Sequence, residues 1–219
     1  MIGAPDHYCY PGTRVLKNKA NIQSESELDE AMNDYASIAW AILRASPPTR
    51  DLDFEYLADA HHYMFGRLFT WAGHLRNVNL SPAGIDGDYC PHGEVEERLE
   101  VLFGRLAEED YLQGADDWDF CQRVAHYWGR LTDIHPFRDG NTRSQGLWVS
   151  ALATQAGHEL NWALIDPVVL RTARMSARQG YEAGLSDYLR ERLLPPGANM
   201  AAPDFKGPAS LSADKPGDV

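Results

Sequence analysis

The stretch His135-Pro-Phe-Arg-Asp-Gly-Asn-Thr-Arg-Ser-Gln-Gly146, "HPFRDGNTRSQG", decides how this chain is read. A helical pattern runs into it from "ADDWDFCQRVAHYWGRLTDIHPF" (115–137), and Pro136 bars ordinary continuation. A second helical pattern, "NTRSQGLWVSALATQAG" (141–157), leaves it, with Asn141 a favoured N-cap. The short loop between them contains Gly140, which permits a tight turn. A glycine loop feeding a helix N-terminus is an anion site: first-turn amides lack intrahelical acceptors, and the helix dipole lies behind them. Arg143 in that first turn is unfavourable for the dipole unless an anion binds beside it. Asp139 offers a hard oxygen to Mg²⁺ or Mn²⁺. His135 is placed to act as a general base. Base, carboxylate and phosphate cradle together point to attack on a nucleotide phosphate.

The rest of the chain reads as helices around this loop. Further patterns cover 24–46, 53–69, 92–110, 166–181 and 185–194. The exception is "LRNVNLSPAGIDGDYCP" (75–91), where Val78 and Leu80 alternate with polar neighbours before Pro, Gly and Asp. That predicts a short β-hairpin or ordered loop. The expectation is one all-α domain over 1–195, with a Pro/Gly/Ala-rich, disordered tail at 196–219.

A net charge of −12 over 219 residues argues against direct nucleic-acid binding. No apolar run is long enough to cross a bilayer and no secretory signal is visible, so a cytoplasmic protein without membrane partners is expected. Three scattered cysteines predict reduced thiols. His61, His62, His92, His126 and His158 show no metal-ligand spacing and read as core or surface residues. Trp118, Tyr127, Trp128 and Trp148 fall in helices and read as core.

"HPFRDGNTR" resembles the Fic family signature HxFx[D/E]GNGRxxR, and "YPGTRVLKNKANI" (10–22) resembles the N-terminal segment of Fic toxins and bacterial effectors. The similarity runs in the same order from about residue 8 to 195. It implies the Fic fold, a helical bundle with a short β-hairpin flap over the active site. It implies a protein adenylyltransferase that takes AMP from ATP, with Mg²⁺ or Mn²⁺, to a target hydroxyl. Residue by residue, His135 matches the base and Asp139 the metal ligand. Gly140, Asn141 and Thr142 match the anion hole, Arg143 a phosphate-binding arginine, and Phe137 an apolar anchor. The flap, about 76–89, implies a target protein docked as an added strand along Arg76, Asn77, Val78, Asn79 and Leu80.

Two departures stand out. Thr142 replaces the second glycine of GNG, and Gly146 replaces the last arginine, which holds the γ-phosphate in the family. Arg171, Arg174 and Arg178 share a helical face, either solvated or carrying a replacement for that arginine. The inhibitory pattern [S/T]xxxE[G/N] has one near match, "SELDEA" (26–31), broken by Ala31. A toxin-like enzyme with a separate antitoxin fits, in the cytoplasm rather than as a secreted effector. Alternatives are transfer of UMP, phosphocholine or phosphate, and a catalytically weak binding module.

Overall fold

The computed structural model describes residues 6–46 and 48–195, together with the backbone of 216–217. Among the described residues seven α-helices carry the fold: α1 (Glu25–Ala45), α2 (Phe54–Phe65), α3 (Val95–Glu108), α4 (Asp117–Ile134), α5 (Asn141–Gln155), α6 (Pro167–Arg178) and α7 (Ala183–Arg190). Their starts follow local chemistry. Ser24, Asp53, Asp116 and Asp166 each turn a side-chain oxygen onto first-turn amides of α1, α2, α4 and α6, and Pro167 opens α6.

Every residue from Asn141 to Ala153 is buried, so α5 is the central helix. Over these residues it has no solvent-exposed face, because α1, α2 and α4 pack around it. Trp40, Trp128 and Trp148 lie fully inside. The indole N–H of Trp148 donates to Leu52 O at 2.9 Å, and that of Trp40 to Arg143 O at 3.0 Å. Trp118 departs from the expected core set at 58% exposure, because it sits in the first turn of α4 beyond the packed face. Gly129 of α4 lets α6 approach closely: a Cβ there would meet Ala177 O at 2.8 Å. The α6 arginines are thereby brought to the base of α4.

The segment 76–89 is a loop and not a hairpin with its own ladder. One backbone bond, Tyr89 N–H to Leu80 O at 3.0 Å, closes it. Pro82 has no N–H to give, and Gly84 and Gly87 turn the tip at φ +69° and +91°. The strand residues here, β1 (Ser81–Pro82), pair antiparallel with β2 (Pro216–Gly217), in the register Ser81 to Gly217 and Pro82 to Pro216. The rest of the expected tail, 196–215 and 218–219, lies outside the described residues.

Residues 8–17 form a small bridge, Cys9 against Leu16, that places Asp6 on the loop before α5. Arg138 donates to the Asp6 carboxylate through Nε at 2.9 Å and through its Nη2. Burial alone would raise the Asp6 pKa, but the charge and hydrogen bonds of Arg138, with the Tyr8 amide and Cys9 thiol, bring it below the usual value. A depressed carboxylate stabilises the fold above its unfolded pKa of about 3.9, and the effect is lost as pH falls through the folded value. Asp6→Asn is therefore expected to cost about 1–2 kcal/mol near neutral pH. The gap from wild type should close below about pH 4 in acid-titrated thermal melts. A gap that stays constant to well below that pH would remove the pair from the stability account.

Candidate active site

Helix α4 stops at Ile134, and His135 caps it in the left-handed region at φ 47°, ψ 63°. A non-glycine residue there must be held, and Arg76 holds it. Arg76 is 2% exposed. Its Nε donates to His135 O at 2.8 Å and its backbone N–H to Pro136 O at 2.9 Å. Its guanidinium also reaches the carbonyls of Val78 at 2.6 Å, Ile134 at 3.2 Å and Cys90. Arg76, assigned from sequence to the docking flap, is thus a buried brace for the turn that carries His135. Of its neighbours, Asn77 and Asn79 are exposed, Val78 is half-buried and Leu80 is buried. Asn79 Oδ1 accepts from the His92 amide at 2.9 Å.

The imidazole of His135 is 2% exposed and stacks on Tyr89, centroids 3.8 Å apart and planes 12° apart. The same Tyr89 ring lies 5.1 Å from the guanidinium of Arg178. The flap therefore ends directly on the candidate base.

The loop then turns on Gly140 at φ +80°. Gly140, not Asn141, is the N-cap of α5. Asn141 is already helical, and its side chain reaches back: Phe137 N–H donates to Oδ1 at 3.0 Å, and Nδ2 donates to Phe137 O at 2.8 Å. Its side chain closes the loop and leaves anion binding to the backbone. Phe137 is fully buried, stacked 3.9 Å from His61. The hydrogen bonds of Asp139 all fall on Oδ1, from Gly140 N–H at 2.5 Å and from Arg143 at 3.3 Å. Arg143 is 5% exposed, and it is also tied to Asn33 Oδ1 at 3.0 Å. Its guanidinium lies 5.0 Å from the Phe65 ring.

His61 and Asn33 were not legible as site residues. His61 is completely buried on α2 and accepts the Gly73 amide at Nδ1, 2.9 Å. Its proton therefore sits on Nε2, which donates to Asp139 O at 2.8 Å. Burial drives its pKa down to about 3, with Arg143 and His62 adding and the Asp139 bond opposing. It is a neutral strut under the loop. No local signal marks it, because its partner is 78 residues away.

The three arginines of α6 are not a solvated face. Arg171 donates to Ala83 O at 2.7 Å, and Arg178 to Asp88 O and to Asp133 Oδ1 at 3.0 Å, so both grip the flap. Arg174 turns inward to Thr132, Thr142 and Gln145.

A family model described as Fic/DOC family matches residues 51–153. A probable protein adenylyltransferase Fic of Escherichia coli K12 is 31% identical over 175 residues, 80% of this chain and 86% of that one. The chain belongs to the Fic/DOC family. A second relative, a protein adenylyltransferase of Bartonella henselae, is 30% identical over 88% of this chain, which spans only 38% of that longer protein. Among solved structures, the Bartonella tribocorum BepC protein with bound AMPPNP superposes with a TM-score of 0.79 at 27% identity. That match covers 86% of this chain and 96% of the solved chain. The helical bundle expected from the Fic signature is the one observed.

Proposed function

We propose that this Fic chain is a protein adenylyltransferase that moves AMP from ATP to a hydroxyl side chain of a target protein. The observation that carries the reading is the meeting of His135, at the end of α4, with the glycine-turned N-terminus of α5. The target oxygen attacks the α-phosphorus and its proton passes to His135. The bond from the α-phosphorus to the bridging oxygen breaks, and pyrophosphate leaves. First-turn amides of α5, backed by the helix dipole, stabilise the charge on the phosphoryl oxygens. The buried Arg143 adds a fixed positive charge beside them.

Asp139 fits as a ligand for Mg²⁺ or Mn²⁺. Its bonds to the protein are on Oδ1, so Oδ2 faces no donor among the described residues. No group of three or more His, Cys, Asp or Glu able to hold a metal occurs among them, which suits an ion held mainly by phosphates and water. Bound there, such an ion would neutralise charge on the phosphate chain. Asp139→Asn is expected to lower the transfer rate by at least roughly tenfold. It should also flatten the Mg²⁺ dependence of ATP affinity, measured by titration with and without EDTA. An unchanged Mg²⁺ dependence would remove Asp139 from the metal site.

The target is read as a strand laid along the flap. That Ser81–Pro82 takes an antiparallel partner from the chain's own 216–217 supports an edge able to pair. We place the enzyme in the bacterial cytoplasm, toxin-like, with a separate antitoxin, because residues 26–31 lie within α1 and not in an inhibitory helix. No helix among the described residues is long and apolar enough to cross a membrane. A second reading, transfer from another donor, is favoured by Gly146. ATP labelled at the α- or the γ-phosphate, incubated with the protein and a bacterial lysate, separates the outcomes. Label from the α-position alone supports AMP transfer. Label from the γ-position indicates phosphate transfer and overturns it.

A further inference from the structure

A single guanidinium, that of Arg76, joins both ends of the flap to the turn after α4. At the entry of the flap its Nη1 donates to Val78 O at 2.6 Å. At the exit its Nη2 donates to Cys90 O, and the same nitrogen reaches Ile134 O, on the last residue of α4, at 3.2 Å. Its Nε donates to His135 O at 2.8 Å, and the Arg76 backbone N–H to Pro136 O at 2.9 Å. The exit is fixed a second time, by Cys90 N–H to Asp133 O at 2.9 Å. Between these ties Gly84, Asp86, Gly87 and Asp88 are exposed at the tip.

A guanidinium is planar and its donors form a rigid fork, so four carbonyls bound to one are fixed relative to each other. One of the four belongs to His135, whose backbone at φ 47°, ψ 63° is a conformation an L residue keeps only when it is held. The plane of the guanidinium therefore sets the direction in which the imidazole leaves the backbone, relative to the flap. The imidazole in turn lies flat on Tyr89, the residue before Cys90, with centroids 3.8 Å apart. His135 and the two ends of the flap are one mechanical unit built around one side chain.

We propose that Arg76 is a positioning residue for the transfer step: it holds the flap and the His135 imidazole in one register, so that a hydroxyl presented on the flap meets the group that takes its proton. At 2% exposure Arg76 acts through His135 and the flap, not on nucleotide or target.

This inference rests on the transferase reading. The test makes two measurements on wild type, Arg76→Met and Arg76→Lys. The first is the carbon–proton NMR spectrum of the histidine rings at about pH 8.5, above the ordinary imidazole value of about 6.5. The His135 signal is identified by its loss in His135→Ala. In wild type the Tyr89 ring current should move it upfield of an exposed histidine. Arg76→Met should lose most of that displacement, while His61, stacked on Phe137 at 3.9 Å, keeps its own. The second is label transfer from α-labelled ATP to protein in a bacterial lysate, expressed per ATP-binding site counted by calorimetry. Arg76→Met should fall about 10²-fold, the scale of a misplaced reacting group, with ATP affinity within about twofold of wild type. Arg76→Lys has three donors at one point and cannot span four carbonyls, so it should lie between Arg76→Met and wild type in both measurements.

A merely structural arginine would lower transfer only in step with the number of ATP-binding sites, or leave the His135 signal of the folded protein in place, and either result overturns the proposal. Should Arg76→Met fail to fold, a wild-type rate per site or a wild-type His135 signal in Arg76→Lys overturns it. Failure of both variants to fold makes Arg76 a residue of the fold alone and also overturns it. A wild type that transfers no label from ATP removes the transferase reading and this role together. Wild-type transfer that the folded variants match per site removes the inference alone.

Discussion

His135→Ala is expected to reduce AMP transfer by roughly 10²–10⁴-fold while leaving ATP bound. The imidazole is the basic group at the junction of α4 and α5, and its backbone is held in the left-handed region by Arg76. Truncation removes the proton acceptor but neither the α5 amides nor Arg143, so the nucleotide site survives. It also removes the partner stacked on Tyr89, and part of the loss will come from a looser flap. Tyr89→Phe keeps the ring and is expected to transfer at nearly the wild-type rate. Single-turnover transfer and ATP titration on the same preparations check the result. A His135→Ala rate within a few-fold of wild type would mean that another group takes the proton.

Gly140→Ala is the second large effect. An added Cβ would lie 2.4 Å from Phe65 Cε2 and 3.0 Å from His61 Nε2, on a backbone at φ +80°. Overpacking and the left-handed penalty together are expected to cost about 2–4 kcal/mol, lowering the melting temperature by about 5–15 °C. Relief would come from pushing the loop off Phe65, which moves the amides of the anion hole. ATP affinity should therefore fall together with stability. Thermal unfolding within about 2 °C of wild type would show that the loop has slack here.

The helices were legible because their signals are local. Ser24, Asp53, Asp116 and Asp166 cap where side-chain oxygens precede amphipathic runs, and Pro136 stops α4 as written. The candidate site loop was legible because twelve adjacent residues hold a histidine, a carboxylate, a glycine turn and an arginine. What local pattern missed depends on contacts between distant segments. Arg76 looked like a flap residue but is drawn inward by carbonyls of 134 and 135. His61 and Asn33 carry no motif, and their importance lies in what they meet on α5 and its loop. Asn141 read as an N-cap, but Gly140 can take the left-handed cap and frees the amide to bind Phe137. The flap's alternation of Val78 and Leu80 was real, yet Pro82 and the glycine turns leave too few donors for a ladder. The α6 arginines looked solvated because nothing local shows that a flap lies over them.

The central claim is that the α4–α5 junction moves AMP. The direct measurement is label transfer to protein in a bacterial lysate from α-labelled ATP, α-labelled UTP and labelled CDP-choline, with wild type and His135→Ala in parallel. The account predicts protein-bound label from ATP with wild type, dependent on Mg²⁺ or Mn²⁺, and none above background with His135→Ala. Label only from UTP or CDP-choline, or equal label from ATP with both proteins, would contradict it.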